Sequence, residues 1–138
     1  ADPKYMRELN AFLHRHPEAR KRIILEIPQY FFSALPLEAR HVLSNLSALG
    51  VRFSMDQTDP QTLQSARPET LPIRYIKIPA SRLVRVLLEP ELRRTFSRMK
   101  RRWASEGIDI VATRVNRAAH LNISSRLEIE MVQGHFLG

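Results

Sequence analysis

Three charged side chains interrupt strand-like apolar runs in this sequence: Glu26 in RIILEIP (22–28), Asp56 in VRFSMD (51–56) and Lys77 in IRYIKIP (73–79). A charge in such a run is costly unless it is paired or solvated at the mouth of a site. All three fall at or near strand carboxyl ends, where α/β folds gather their chemistry. Two carboxylates and an ammonium facing one direction make either a ligand site or a structural ion pair, Lys77 with Glu26 or with Asp56, and the spacing leaves both open. Gln133 closes a further strand near the end of the chain. After Asp56 the chain turns at once into polar residues, and the first, Gln57, is a neutral amide where a second carboxylate would help to hold a divalent cation.

The elements that must position these residues alternate between strand and helix. Asp2–Pro3 is a helix start, N-cap then proline, and Met6, Leu9, Phe12 and Leu13 form one helical face that Pro17 ends. RIILEIP has the composition of a strand buried on both faces. Pro36 opens a second helix, with Val42, Leu43, Leu46 and Leu49 on one side and Gly50 as its stop. VRFSMD and IRYIKIP are the next strands, with a short helix around Thr62–Ala66 between them. A helix runs from about Glu89 to Glu106, its Leu92, Phe96, Met99 and Trp103 spaced for one face, and Gly107 ends it. DIVATRV (109–115) is a fourth strand, residues 116–126 a weaker helix and LEIEMVQG (127–134) a fifth strand. This alternation predicts an α/β fold of about five parallel strands.

The 138 residues suit one domain, and the apolar fraction of 43% suits a packed core rather than a disordered chain. A net charge of +8, from 22 Lys+Arg against 14 Asp+Glu, favours anionic partners. The absence of cysteine excludes disulfides and thiolate metal sites and fits a reducing, cytoplasmic compartment. No apolar run approaches the ~20 residues that span a bilayer. The start at Ala1-Asp2-Pro3 reads as a cut inside a longer protein. The five histidines show no i, i+4 metal spacing, and no elbow motif supports a Ser-His-Asp hydrolase.

Taken in order, these stretches resemble the EAL domain, the (β/α)8-barrel family that hydrolyses cyclic di-GMP. LEIPQ (25–29) is similar to that family's Leu-Glu-Ile/Leu-Thr-Glu strand end, and GVRFSMDQ (50–57) to its Gly-Val-x-Leu-Ala-Leu-Asp-Asp. LPIRYIKIP (71–79) is similar to Leu-Pro-Val-Asp-Tyr-Ile-Lys-Ile-Asp, and GIDIVATRVN (107–116) to Gly-Ile-x-Val-Val-Ala-Glu-Gly-Val-Glu. MVQGHFLG (131–138) is similar to the Tyr-Val-Gln-Gly-Tyr-x-Phe-Gly ending. The resemblance implies a single EAL-like domain over residues 1–138 and a partial TIM-type barrel, lacking its first strands and last helix.

The departures from the family are chemical. The resemblance implies a mouth that binds two divalent cations through a ring of carboxylates and one asparagine. Glu26 and Asp56 are kept, but Gln29, Gln57, Thr113 and Asn116 stand where the family has carboxylates, and Pro79 replaces the aspartate after the lysine. The flexible Phe-Gly-Thr-Gly loop is here Thr58-Asp59-Pro60-Gln61, without its glycines. Two-metal hydrolysis needs anionic oxygens and a bridging ligand, which a glutamine cannot supply, and a threonine is no general base near neutral pH. Loss of divalent metal binding and of phosphodiesterase activity is therefore expected, with no cofactor.

What remains is a receptor for cyclic di-GMP or a protein-interaction scaffold in its signalling. Four fewer negative charges lessen repulsion of a dianionic nucleotide, Lys77 can meet a phosphate, and Gln133 can hydrogen-bond a base or phosphate. The expected ligand-binding set is Glu26, Asp56, Lys77 and Gln133. Open sheet edges allow self-association. The alternatives are a residual phosphodiesterase, or a basic-patch domain for nucleic acid or an acidic protein partner, carried by RRTFSRMKRR (93–102). The charges of that stretch also fit the solvated outer face of a barrel helix, with Phe96, Met99 and Trp103 turned inward.

Overall fold

A computed structural model describes residues 3–63 and 73–135, except the side chains of Pro3, Met6 and Ser33. The expected N-cap Asp2 lies outside these residues, as does most of the short helix around Thr62–Ala66. The described elements are α1 (Pro3–Arg15), β1 (Ile24–Pro28), α2 (Gln29–Ser33), α3 (Leu37–Ala48), β2 (Arg52–Asp56), β3 (Ile73–Pro79), α4 (Ala80–Leu88), α5 (Pro90–Ser105), β4 (Asp109–Thr113), α6 (Ala118–Arg126) and β5 (Met131–Val132). The five strands form one sheet in the order β1-β2-β3-β4-β5, every neighbouring pair parallel.

Side chains alternate across a strand, so the register sorts the sheet into two faces. Phe53, Met55, Ile76, Ile78, Ile110 and Ala112 lie on one and form the core with Leu46, Leu83, Phe96 and Trp103 of the helices. The other carries Glu26, Ser54, Asp56, Lys77, Val111 and Thr113, with Glu26 opposite Ser54, Pro28 opposite Asp56, Lys77 opposite Val111 and Pro79 opposite Thr113. Val111 is buried yet stands outside the core cluster, as its place on the polar face requires.

Three helices end in the same way. After α3, Gly50 N donates to Ser47 O and Val51 N to Leu46 O. After α5, Gly107 N donates to Ala104 O and Ile108 N to Trp103 O. These paired bonds define a Schellman ending, which puts the residue after the cap in the left-handed region, with φ at +100° for Gly50 and +81° for Gly107. After α6, Glu128 N donates to Ser125 O and Ile129 N to Ser124 O, and a glutamate takes the left-handed position at φ +58°.

That third cap corrects the sequence expectation for residues 127–134. Their first half closes α6 instead of extending a strand, and β5 keeps only Met131 and Val132. A second correction concerns β1, which has no fully buried residue, because it lies at the sheet edge rather than between strands. The helix expected from about Glu89 begins at Pro90, and α4 precedes it, burying Ala80, Leu83 and Val86. Glu89 between them is extended, at φ −99° and ψ 109°, as the residue before a proline prefers. On α1, Leu13 is buried while Phe12 is exposed and packs against the His16 ring.

At the amino-terminal side of the sheet, Arg74 pairs with Asp109 across β3 and β4. Arg74 donates a hydrogen bond to Asp109, which raises the guanidinium pKa above its usual value. None of the described helices is long and apolar enough to cross a membrane.

Candidate functional site

Lys77 and Glu26 meet at the carboxyl side of the sheet. Their strands are both neighbours of β2, so the two residues sit about two strand spacings apart, ~10 Å. The Lys77 side chain crosses β2, and its Nζ donates to Glu26 Oε1. Of the two ion pairs the sequence leaves open, the fold therefore forms the one with Glu26. Lys77 is the more sheltered partner, with 16% of its side chain exposed against 50% for Glu26. The bridge spans the sheet face that carries Ser54, which is 0% exposed. Ser54 Oγ has no hydrogen-bond partner among the described residues.

Asp56 ends β2 in the adjoining position, but its Oδ1 accepts from the backbone N–H of Gln57 at 2.9 Å. Gln57 adopts φ +51°, and its carbonyl accepts from Arg82 of α4 at 2.7 Å. Glu26, Asp56 and Lys77 thus gather at one end of the sheet, two of them in direct contact. Gln133 lies toward the other end of the strand order. It follows β5, two strands beyond Lys77, and its backbone pairs with β4, N–H to Ala112 O at 2.8 Å and carbonyl to Val115 N at 3.0 Å.

The loop after β2 is held at several points. Thr58 N donates to Lys77 O at 3.1 Å, and Asp59 Oδ1 accepts from Gln61 N at 3.0 Å. Gln29, buried at the start of α2, reaches into the same loop from β1's end. Its Oε1 accepts from Asp59 N at 2.7 Å and its Nε2 donates to Thr62 Oγ1 at 3.0 Å. The Thr62 hydroxyl itself donates to Asp59 O, so it offers Gln29 a lone pair. The amide thus satisfies both partners in the loop without adding a charge. Gln29 holds the loop beside Asp56, a role that apolar runs and charges in the sequence do not reveal.

Asn116 does similar work at the far side. Its Oδ1 accepts from His135 N at 3.1 Å, tying the turn after β4 to the segment after β5. Thr113 ends β4 on the polar face and is buried. Arg114 follows at φ +54°, left-handed backbone at a position where the resembling pattern has glycine.

The fit to a pair of divalent cations is poor. Glu26 is engaged by an ammonium, Asp56 receives a backbone N–H, and the neighbouring positions 29, 57 and 113 are neutral. Among the described residues no group of three or more His, Cys, Asp or Glu is placed to hold a metal ion.

The EAL domain family model matches residues 1–138. Solved structures carry the same fold. The Vibrio cholerae LapD S helix-GGDEF-EAL protein bound to c-di-GMP superposes with a TM-score of 0.79 at 22% identity, covering 99% of this chain and 34% of that one. The Xanthomonas citri FimX EAL domain in complex with c-di-GMP gives 0.75 at 17% identity, with 99% and 54% covered. The PaMucR phosphodiesterase in its c-di-GMP complex gives 0.67 at 23% identity, with 100% and 56% covered. The chain thus spans between about a third and just over half of the length of these structures. No curated protein matches the chain significantly.

Proposed function

The chain belongs to the EAL domain family, and from that membership we propose that it is a catalytically inactive member that serves cyclic di-GMP signalling as a nucleotide receptor. The observation that carries this reading is the Lys77–Glu26 bridge with its neutral surroundings. A site for two metals needs its carboxylates free and several of them. Here one carboxylate is neutralised by an ammonium, and amides or a threonine occupy the positions that would complete the set.

Nucleotide binding without metal makes different demands. A cyclic dinucleotide carries two phosphodiester charges, and Lys77 is the cation placed to meet one of them once Glu26 yields. Asp56 and Gln133 would contribute hydrogen bonds at either side. The tied loop after β2 presents Asp56 and Gln57 in a fixed arrangement, which lowers the ordering cost of binding. Among the relatives of similar fold, LapD and FimX are complexes with c-di-GMP, which supports the ligand, while PaMucR is a phosphodiesterase and represents the competing activity.

Calorimetric titration of cyclic di-GMP into the chain, with and without Mg²⁺, tests the proposal. Binding heat of equal size in both conditions, with no linear product formed, is the expected result. Metal-dependent hydrolysis overturns the inactive assignment. No heat in either condition removes the receptor role and leaves a protein-interaction scaffold.

A further inference from the structure

The outward face of α5 carries a charge cluster that the nucleotide site does not use. Arg94, Arg98 and Arg101 follow at intervals of four and three residues, with Arg93 beside them, along a shallow depression that Thr95 and Ser97 also line. Glu91 is the one acid there. Of the apolar residues of the helix, Phe96, Met99 and Trp103 are buried in the core and Leu92 is half-buried against it. Some other cations of the chain are matched: Arg74 by Asp109, Arg85 by Glu89, and Lys100, on α5 itself, by the carbonyls of Leu127 and Glu128. The guanidinium groups of Arg93, Arg94, Arg98 and Arg101 make no ion pair or hydrogen bond among the described residues. Like charges three and four residues apart repel along a helix, so this face is set against the stability of its own element.

We propose that this face is a docking surface for the phosphodiester backbone of double-stranded nucleic acid, bound without regard to sequence. From Arg94 to Arg101 the helix rises about 10 Å. A nucleic-acid strand presents a phosphate every ~3.4 Å along its axis, so this rise spans about four successive phosphates, within reach of the three arginines. The hydroxyls of Thr95 and Ser97 are further donors of the kind that contact phosphate oxygens. Each rival partner needs something this face lacks. A helix lying on a bilayer exposes apolar side chains beside its cations, but the apolar side chains of α5 point inward. A protein interface centres on aromatic or aliphatic anchors. Unpaired bases stack on exposed aromatic rings.

Fluorescence anisotropy with a labelled random-sequence duplex, over roughly 50 to 200 mM salt, tests the surface. The affinity is expected to fall steeply as salt rises. The triple variant Arg94→Gln/Arg98→Gln/Arg101→Gln should bind more weakly at low salt and flatten the slope of log K against log salt by about 2.7, three times the ~0.9 per phosphate contact. Its melting midpoint should stay within the error of the parent, because these side chains are solvent-exposed. The variant Arg15→Gln/Lys21→Gln/Arg22→Gln removes the same charge from another exposed region and should change binding much less. Equal losses in the two variants, no duplex binding at the lowest salt, or a dependence on α5 seen only with phosphatidylserine-containing vesicles would each overturn the proposal.

Discussion

Lys77 is the residue on which the electrostatics of the site turn. Its ammonium is held by Glu26 across an intervening strand, so a phosphate must displace that carboxylate or share the cation with it. Under the receptor reading, Lys77→Gln should weaken cyclic di-GMP binding by about 10- to 100-fold, the equivalent of a charge-assisted hydrogen bond of about 1.5–3 kcal/mol. Glu26→Gln should act in the opposite direction and tighten binding severalfold by releasing the ammonium. Calorimetry on the two variants checks both signs, and unchanged affinity in Lys77→Gln would remove this residue from the site. The neutral replacements around the pair are unlike one another. Gln29 and Asn116 each spend polar side-chain atoms on holding loops, while Gln57 is fixed through its backbone. The amide at position 29 accepts from Asp59 N and donates to Thr62 Oγ1, so it holds the loop without adding a charge.

At the scale of elements, the helix endings explain where strands begin. Gly50 and Gly107 close α3 and α5 and deliver the chain to β2 and β4. Both stops were legible in the sequence because glycine announces a left-handed residue. Glu128 performs the same turn for α6 without that signal, and so LEIEMV passes for a continuous strand in the sequence. The left-handed conformation costs a residue with a Cβ roughly 1–2 kcal/mol. Glu128→Gly should therefore raise the stability of the folded chain by up to about 1 kcal/mol, after the larger entropy of an unfolded glycine is subtracted. Urea denaturation measures it. A loss of stability instead would mean that the Glu128 side chain contributes more than its backbone costs. The break between α4 and α5 was equally legible in principle, since Glu89 precedes Pro90, and its extended backbone follows from that proline alone.

For the whole molecule, the consequence of five strands in one open sheet is a pair of edges. No described strand pairs with β1 or β5 on the outer side. A groove of about 890 Å³ runs along β1, lined by Ile24, Leu25, Ile27, Phe31 and Val42 among others. Unpaired strand edges beside apolar surface promote association between chains. Sedimentation velocity should accordingly show association that grows with concentration. Ile24→Lys, a charge placed on the edge strand, should reduce it, and a concentration-independent monomer in the parent chain would show that the edge is protected.

The sequence by itself determined the α/β alternation, the parallel sense of the strands and the positions of Glu26, Asp56 and Lys77 at one end of the sheet. Those features depend on side-chain periodicity and on local stops, which act over a few residues and are written locally. Tertiary structure decided which carboxylate takes the ammonium, because Glu26 and Lys77 lie far apart in the chain and meet only when β2 is inserted between their strands. It also exposed β1 as an edge and gave Gln29 its two partners in the loop after β2. Each depends on strand order and register, which no local run of residues encodes.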